Sequence, residues 1–223
     1  MMSTQGPKRI LFGKFAAVAK ALGHAHRLEL LEQLGQGERS VEILAQKARL
    51  SVANTSQHLQ HLRRVGLVTA RREGKFVRYR LADDAVLDVL AALGGIAERN
   101  IAEVQQVMQR FFHERDRLEP ISRHELRKRM RAGTVTLLDV RPEDEFVLGH
   151  LPNAVNIPLK ALEARLSELD PSQEIVAYCR GPYCVLTYEA VATLRAHGFK
   201  VRRLHDGFPE WRSAGLPVVG GMA

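Results

Sequence analysis

The stretch LSVANTSQHLQHLRRVGLV, residues 50–68, decides the fold of the first half of the chain. Ser51 is a favourable helix N-cap, and Leu59 and Leu62 follow at the spacing of an apolar helix face. Gly66 suits the end of such a helix, because glycine readily adopts the left-handed conformation found just after a helix. The stretch therefore predicts a helix that begins after Ser51 and ends before Gly66.

The segments on either side of this helix complete a small domain. Upstream, Ser40 predicts the cap of a shorter helix that a tight turn joins to the first. Downstream, the runs 67–71 and 76–80 predict two strands around the polar turn 72–75. Two helices joined by a tight turn and followed by a hairpin predict a winged helix-turn-helix, a mainly-α fold with a small sheet.

The net charge of the chain is concentrated beside the predicted hairpin. The 223 residues include 33 Lys and Arg against 25 Asp and Glu, a formal charge of +8. Residues 63–80 alone carry seven basic side chains against one acidic side chain, Glu73. A basic surface of this kind attracts a polyanion.

The residue types on the predicted recognition helix and hairpin suit double-stranded DNA. Short amides and hydroxyls match base edges in a major groove, whereas arginine and lysine match phosphates. The alternative is a basic face that is only solvated. We predict that DNA is contacted by two groups of side chains, one on the helix and one on the wing: Asn54, Ser56, Gln57, Gln60 and Arg63, and Arg71, Arg72, Lys75 and Arg78.

Residues 50–68, together with 71–74 and 79–81, resemble the ArsR/SmtB family of dimeric bacterial repressors, and the resemblance extends over about residues 10–115. It implies a homodimer through the first and last helices of the domain, which would bind a palindromic operator.

Family members often sense metals. Here the helix after Ser40 has no cysteine, and His113 with Glu114 offers too few ligands for zinc. We expect no metal site and no cofactor, and we expect packing, capping or DNA-facing roles for His24, His26, His58 and His61.

The second half of the chain has a different order of predicted secondary-structure elements. The runs 135–140, 174–178 and 200–204 predict short buried strands, and 159–169 and 184–197 have helical spacing. Alternating strands and helices predict an α/β domain with a mostly parallel sheet that is covered on both faces.

The two cysteines of the chain, Cys179 and Cys184, lie together after one of these strands, in the run YCRGPYC, residues 178–184. Backbone N–H groups and the start of a helix lower the pKa of a thiol and hold an anion, so Cys179 is a candidate nucleophile. Its alternative is an inert buried cysteine. Val185 stands where a cysteine phosphatase needs arginine, which disfavours phosphate-ester hydrolysis. We predict that the loop binds substrate through Arg180, Gly181, Pro182, Tyr183 and Cys184.

Residues 139–158, the cysteine run and 206–218 resemble the rhodanese family in the right order. The resemblance implies that Cys179 takes sulfane sulfur from a donor such as thiosulfate and passes it to a thiol or to cyanide. It implies that Arg180 belongs to the catalytic loop, that Asp139 and Arg141 brace the site, and that Glu145 and His150 are structural.

The loop departs from the usual family pattern at three positions. Gly181 comes one position early, Pro182 takes the usual glycine position, and Cys184 replaces a polar or basic residue. These changes put thiosulfate preference in doubt. Cys184 either attacks a Cys179 persulfide to form a disulfide or simply packs at the helix start, and both interpretations stay open.

The whole chain resembles fusions of an ArsR-type repressor with a rhodanese domain. We expect DNA binding and dimerisation in residues 1–113, a linker at 114–122 and a rhodanese-like domain at 123–223. The leading hypothesis is a DNA-binding regulator in which a Cys179 persulfide biases operator binding, with donor and acceptor thiols as partners. Its rivals are a thiosulfate-type sulfurtransferase that regulates its own expression and an arsenite-responsive repressor. No apolar run is long enough to span a bilayer, so we expect a cytoplasmic protein without a membrane partner.

Overall fold

The computed structural model describes residues 6–113, of which 111–113 by their backbone alone, and residues 120–220. The chain divides into two compact units, unit 1 (Met1–Leu90) and unit 2 (Ala91–Ala223). Residues 114–119 of the predicted linker, and with them Glu114 as a metal-ligand candidate, lie outside the described residues. The domain boundaries expected from the sequence stay a prediction.

Unit 1 is a winged helix-turn-helix, as the sequence predicts. Its sheet has the order β1-β3-β2 and is antiparallel, with Val68 opposite Leu81. Leu30, Leu44 and Leu59 are fully buried in its core. Its elements are α1 (Pro7–Leu22), α2 (Ala25–Gly35), β1 (Arg39–Ser40), α3 (Val41–Ala48), α4 (Val52–Arg64), β2 (Val68–Glu73), β3 (Phe76–Leu81) and the first turns of α5 (Ala85–Asn100).

The helix starts in this unit follow from their capping residues. The hydroxyl of Ser40 accepts a hydrogen bond from the Ile43 backbone N–H, and that of Ser51 accepts one from Asn54. Each bond satisfies a backbone donor that the first turn of a helix leaves without a partner, which confirms both predicted caps. The strand β1 was not predicted. The hairpin turn is also tighter than the predicted 72–75, because β2 continues to Glu73.

The long helical stretch after the wing is interrupted later than the sequence suggests. The glycine pair Gly94-Gly95 within this helical pattern predicts a bend or an interruption. The predicted interruption is wrong, since α5 runs through both glycines. The interruption falls at Ile101, whose backbone is extended (φ −112°, ψ 112°). Beyond it lie α6 (Ala102–Val107) and a π-helical segment (Met108–His113).

Unit 2 contains a four-stranded parallel sheet of order β5-β4-β6-β7, as predicted. Side chains alternate between its faces: Leu138 and Ala177 pack in one core, Leu137 and Val176 in the other. The predicted helix 159–169 consists of two short 3₁₀ segments with a kink at Arg165. The remaining elements are α7 (Arg123–Ala132), β4 (Val135–Asp139), α8 (Glu143–Phe146), β5 (Val155–Asn156), β6 (Glu174–Tyr178), α9 (Val185–Ala196), β7 (Val201–Arg203) and α10 (Phe208–Ser213).

Candidate functional site

The helix α4 presents the side chains that the sequence assigned to DNA. Leu59 and Leu62 are fully buried and anchor the helix to the core. Ser56 is half-buried, and the other assigned side chains of the helix are exposed, namely Asn54, Gln57, Gln60 and Arg63. An exposed row of amides on a rigid helix can donate to and accept from base edges.

The wing carries the assigned basic side chains, and two of them are held by ion pairs within unit 1. The Arg71 guanidinium donates to both carboxylate oxygens of Glu38 at 2.9 and 3.0 Å, and this contact raises the pKa of Arg71. Arg78 pairs with Glu73 on the neighbouring strand. Arg72 and Lys75 are exposed near the hairpin turn.

Three histidines meet where the start of α2 packs near α4. The ring of His58 lies 4.6 Å from that of His24 and 5.9 Å from that of His26, centroid to centroid. Burial, followed by repulsion from neighbouring basic groups, lowers the pKa of His58. Among the described residues, no three His, Cys, Asp or Glu side chains are arranged to hold a metal ion.

The cysteine loop (Cys179–Cys184) leaves the carboxyl end of β6 and leads into α9. Cys184 is the N-cap residue of α9, and its backbone N–H donates to the Gly181 carbonyl at 3.1 Å. The Cys179 carbonyl accepts from the Phe208 N–H at 2.9 Å. Backbone hydrogen bonds thus hold both ends of the loop.

Cys179 and Cys184 form a disulfide, with their Cα atoms 6.3 Å apart. Both residues are buried in the core of unit 2, at 1% and 6% exposure. The structure therefore places the two sulfurs within reach of one another at a buried position, where neither is open to a large reagent.

The basic side chain of the loop is engaged by a buried acid. The Arg180 guanidinium donates to the two carboxylate oxygens of Glu145 at 2.9 and 2.7 Å, and Glu145 is completely buried. A carboxylate that accepts two parallel hydrogen bonds from a guanidinium group offsets its positive charge and fixes the orientation of its plane. The charge of Arg180 is therefore shared with Glu145 rather than directed wholly at a bound anion.

Asp139 and Arg141 form a second, fully buried ion pair beside the loop. The Arg141 guanidinium donates to the Asp139 carboxylate at 2.6 Å and to the Gly149 carbonyl at 2.7 Å. It also lies over the rings of Phe208, at 4.4 Å, and Tyr178. These contacts tie the ends of β4 and β6 to the segment that supports the cysteine loop.

Gly207 lets the start of α10 approach the loop closely. A Cβ atom at this position would lie 2.3 Å from the Arg180 carbonyl carbon and 2.3 Å from the Gly181 nitrogen. The Gly207 N–H donates to the Glu210 carboxylate at 2.9 Å, which closes the first turn of α10. A glycine is required here for space.

Tyr183, which directly precedes Cys184 in the cysteine loop, contacts the second half of α5. Its hydroxyl donates to the Glu98 carboxylate at 3.3 Å, and its ring covers the Cα of Gly94. Burial, followed by the negative charge of Glu98, raises the pKa of Tyr183. Nearby, Tyr188 on α9 packs against Met108 of the π-helical segment, and its hydroxyl donates to the Pro182 carbonyl at 3.3 Å.

Comparisons with known proteins agree with both halves of this description. Residues 22–71 match the model of a helix-turn-helix domain, and residues 122–214 match that of a rhodanese-like domain. The HTH-type transcriptional regulator Rv0324 of Mycobacterium tuberculosis is 44% identical over 214 residues, which cover 96% of this chain and 94% of the relative. The chain belongs to this family of ArsR-type regulators with a rhodanese-like domain.

Other relatives match one half each. A sulfurtransferase of Allochromatium vinosum is 34% identical over 86 residues, or 38% of this chain and 78% of that protein. The solution structure of the homodimeric winged helix-turn-helix domain Mb0332 of Mycobacterium bovis is 36% identical, with a TM-score of 0.41, and covers 46% of this chain and 95% of that one. None of the described helices is both long and apolar enough to cross a membrane.

In this regulator the structure brings Cys179, Arg180 and Cys184 into one loop, with Asp139 and Arg141 behind it. Gly94, Glu98 and Gly207 also contact this loop, and no sequence motif predicts a role for them. The only local signal for Gly94 is its place inside a helical pattern. Glycine there destabilises a helix by about 1 kcal/mol relative to alanine, which suggests that a contact requires it. The reason is a partner far away in the sequence.

Proposed function

We propose that this regulator binds an operator as a homodimer and that sulfane sulfur, taken up by Cys179, changes its affinity for that operator. The observation that carries the proposal is the pairing of Cys179 with Cys184 inside one loop of the rhodanese-like domain. A second thiol at bonding distance gives a persulfide on Cys179 a direct chemical outcome.

The proposed chemistry consists of two thiol exchanges. The Cys179 thiolate attacks the outer sulfur of a persulfide donor, so the donor S–S bond breaks, a thiolate leaves and Cys179 carries the sulfane sulfur. The Cys184 thiolate then attacks Cys179 Sγ, the bond to the outer sulfur breaks, and hydrosulfide leaves as the disulfide forms. Two equivalents of a small thiol reduce that disulfide and reset the loop.

On the DNA side, α4 supplies base contacts and the wing supplies phosphate contacts. Substitution of Gln57 by alanine should relax sequence preference at one base pair, at a cost of about 1–3 kcal/mol for a bidentate contact. Substitution of Lys75 by alanine should weaken binding to all sequences alike and reduce the salt dependence. Affinities for a selected and a scrambled duplex, measured at several salt concentrations, separate the two effects.

The proposed homodimer is supported by exposed apolar side chains on α1 and α5. Phe12 and Phe15 are 59% and 61% exposed on α1. Val89, Leu93 and Ile96 form an exposed stripe on α5 at helical spacing. Exposed apolar side chains grouped on two helices favour an interaction surface, and a second copy of the chain would bury them on both partners.

The direct test measures affinity for a duplex that the reduced protein selects from a random pool. Inorganic polysulfide should change the affinity of the wild type, whereas Cys179→Ser should not respond. In Cys184→Ser the added sulfur should stay on Cys179 as a persulfide, whereas the wild type should go on to the Cys179–Cys184 disulfide, as mass spectrometry would record. Equal responses of the wild type and Cys179→Ser would remove the sensing proposal.

A second candidate is sulfur transfer as the main output, with DNA binding that only controls expression of the chain. The similarity of residues in the second half to the Allochromatium vinosum sulfurtransferase favours it. Sustained thiocyanate formation from thiosulfate and cyanide by the full chain, lost in Cys179→Ser, is the expected result. Absence of turnover with thiosulfate and with polysulfide would dispose of this candidate.

A further inference from the structure

The helix α5 has two faces with different neighbours. Its exposed apolar stripe, Val89, Leu93 and Ile96, lies on one side, and Gly94 and Glu98 lie roughly on the opposite side, since successive residues turn by about 100°. Tyr183 of the cysteine loop occupies this second side. One helix therefore carries both the proposed dimer surface and a contact with the sulfur site.

The contact is specific to this loop position. A Cβ atom on Gly94 would lie 2.6 Å from Tyr183 Cε2 and 2.7 Å from its hydroxyl oxygen, so the ring sits where only a glycine leaves room. The adjacent Gly95 meets nothing closer than Arg99 Nη1, at 3.2 Å, which is the end of a flexible side chain. Of the two neighbouring glycines, Gly94 alone receives the loop.

The position of Tyr183 depends on the cysteine next to it. Cys184 follows Tyr183 directly and is bonded to Cys179, so that bond constrains the backbone that carries Tyr183. At its other end, α5 is fixed by Val86 and Leu87, both buried in the core that also holds α4 residues Leu59 and Leu62. A continuous helix is a rigid element that carries a displacement along its length.

We infer that the contact of Tyr183 with Gly94 and Glu98 transmits the state of the Cys179–Cys184 pair to α5. With the disulfide closed, the Tyr183 ring covers Gly94 and its hydroxyl binds Glu98. With the disulfide opened or Cys179 persulfidated, the contact is released and α5 changes its setting in the dimer. This inference rests on the proposed function and names the residues through which it is regulated.

The test compares glycine variants of the full chain that differ by one position. Gly94→Ala displaces the Tyr183 ring, whereas Gly95→Ala gains the same helix propensity without touching the loop. Glu98→Ala removes the hydrogen-bond acceptor without crowding the ring and serves as a second variant should Gly94→Ala fold poorly. Glu103→Ala is its matched exposed control on α6.

Two quantities are measured for each protein. The first is the ratio of operator dissociation constants for the oxidised and reduced forms, in which couplings of this kind amount to roughly 5- to 150-fold. The second is the ratio of the Cys179–Cys184 disulfide equilibrium constants, measured in a glutathione redox buffer with and without the selected duplex. Linkage requires both ratios to be equal, and a merely structural contact would not move the second one.

We expect both ratios to fall towards one in Gly94→Ala and Glu98→Ala and to stay at the wild-type value in the two controls. Wild-type ratios in Gly94→Ala and Glu98→Ala would overturn the inference and leave the proposed function standing. An equal loss in Gly95→Ala would also overturn it, because helix stiffness would then be the cause. A wild type without any response would remove the proposed function and this inference together.

Discussion

The buried pair of Asp139 and Arg141 makes the stability of unit 2 sensitive to a change at a single residue. Removing one partner leaves a buried charge without its counter-ion, at a cost of about 3–5 kcal/mol. We expect this loss of unfolding free energy for Arg141→Gln, measured by urea unfolding with Trp211, the single tryptophan of the chain, as the fluorescent reporter.

The control for this prediction is an ion pair with similar geometry but more exposure. Arg165 donates to both carboxylate oxygens of Glu168 at 2.7 Å, with 35% and 45% of the two side chains exposed. Arg165→Gln should cost less than about 1 kcal/mol, because water screens the pair. Equal losses in the two variants would show that burial of the Asp139 pair does not matter.

Gly207 carries a second prediction at this scale. Its φ of −106° is open to any residue, so crowding alone decides the effect of a substitution. Because a Cβ would overlap the backbone of Arg180 and Gly181, Gly207→Ala should push the cysteine loop out of place and abolish formation of the Cys179–Cys184 disulfide. Thiol titration after oxidation measures this. Gly13→Ala, where a Cβ meets nothing within 4 Å, should oxidise like the wild type.

At the scale of elements, the start of α2 makes the stability of unit 1 depend on pH through His58. Burial, followed by the charges of His24, Arg27, His26 and His61, lowers the pKa of His58 below its usual 6.5. The unfolded chain then binds more protons than the folded chain near that pH. The contribution of His58 to the free energy of unfolding is therefore fully present well above pH 6.5 and is lost as the pH falls through that value.

We expect the free energy of unfolding to decrease between about pH 7.5 and about pH 5.5, and His58→Gln to remove part of that decrease. Urea unfolding followed by circular dichroism at both pH values measures the difference. His124→Gln, an exposed histidine on α7, is the control and should keep the wild-type pH dependence. An unchanged dependence in His58→Gln would contradict the prediction.

The elements also show what the sequence can and cannot predict. Caps such as Ser40 and Ser51, and the apolar run 135–140 that contains β4, are local signals, and the structure confirms these predictions. The break expected at Gly94 was wrong because a local rule treats glycine as a helix breaker, whereas here a residue 89 positions later, Tyr183, requires it. Long-range contacts of this kind leave no periodic pattern in a single sequence.

At the candidate site, too, the local arrangement could be predicted from the sequence and the long-range contacts could not. The strand end and helix start around Cys179 are a local arrangement and predict a nucleophilic thiol beside an anion-binding loop. The resemblance to the rhodanese family implies that this thiol carries sulfur. The bond to Cys184 was left open, since sequence spacing allows a disulfide without requiring one. The fork from Arg180 to Glu145 joins residues 35 positions apart, and its geometry depends on how β6 and α8 pack.

At the scale of the whole molecule, the proposed regulation requires two copies of the chain. Phe15 on α1 and Leu93 on α5 belong to the apolar surfaces proposed for dimerisation. A charge placed at Phe15 would have to be buried without a partner in the dimer, so we expect Phe15→Glu to shift the protein to monomers. Sedimentation velocity at micromolar concentration measures this shift.

The same variant should bind the selected duplex much more weakly, because a dimer places two recognition helices on two half-sites at once and gains affinity from their linkage. The control is Val147→Glu, which changes a well-exposed apolar side chain of unit 2, at 71% exposure. It should leave both the sedimentation coefficient and the affinity unchanged. A dimeric Phe15→Glu with wild-type affinity would exclude α1 from the interface and leave α5 alone to join the two copies.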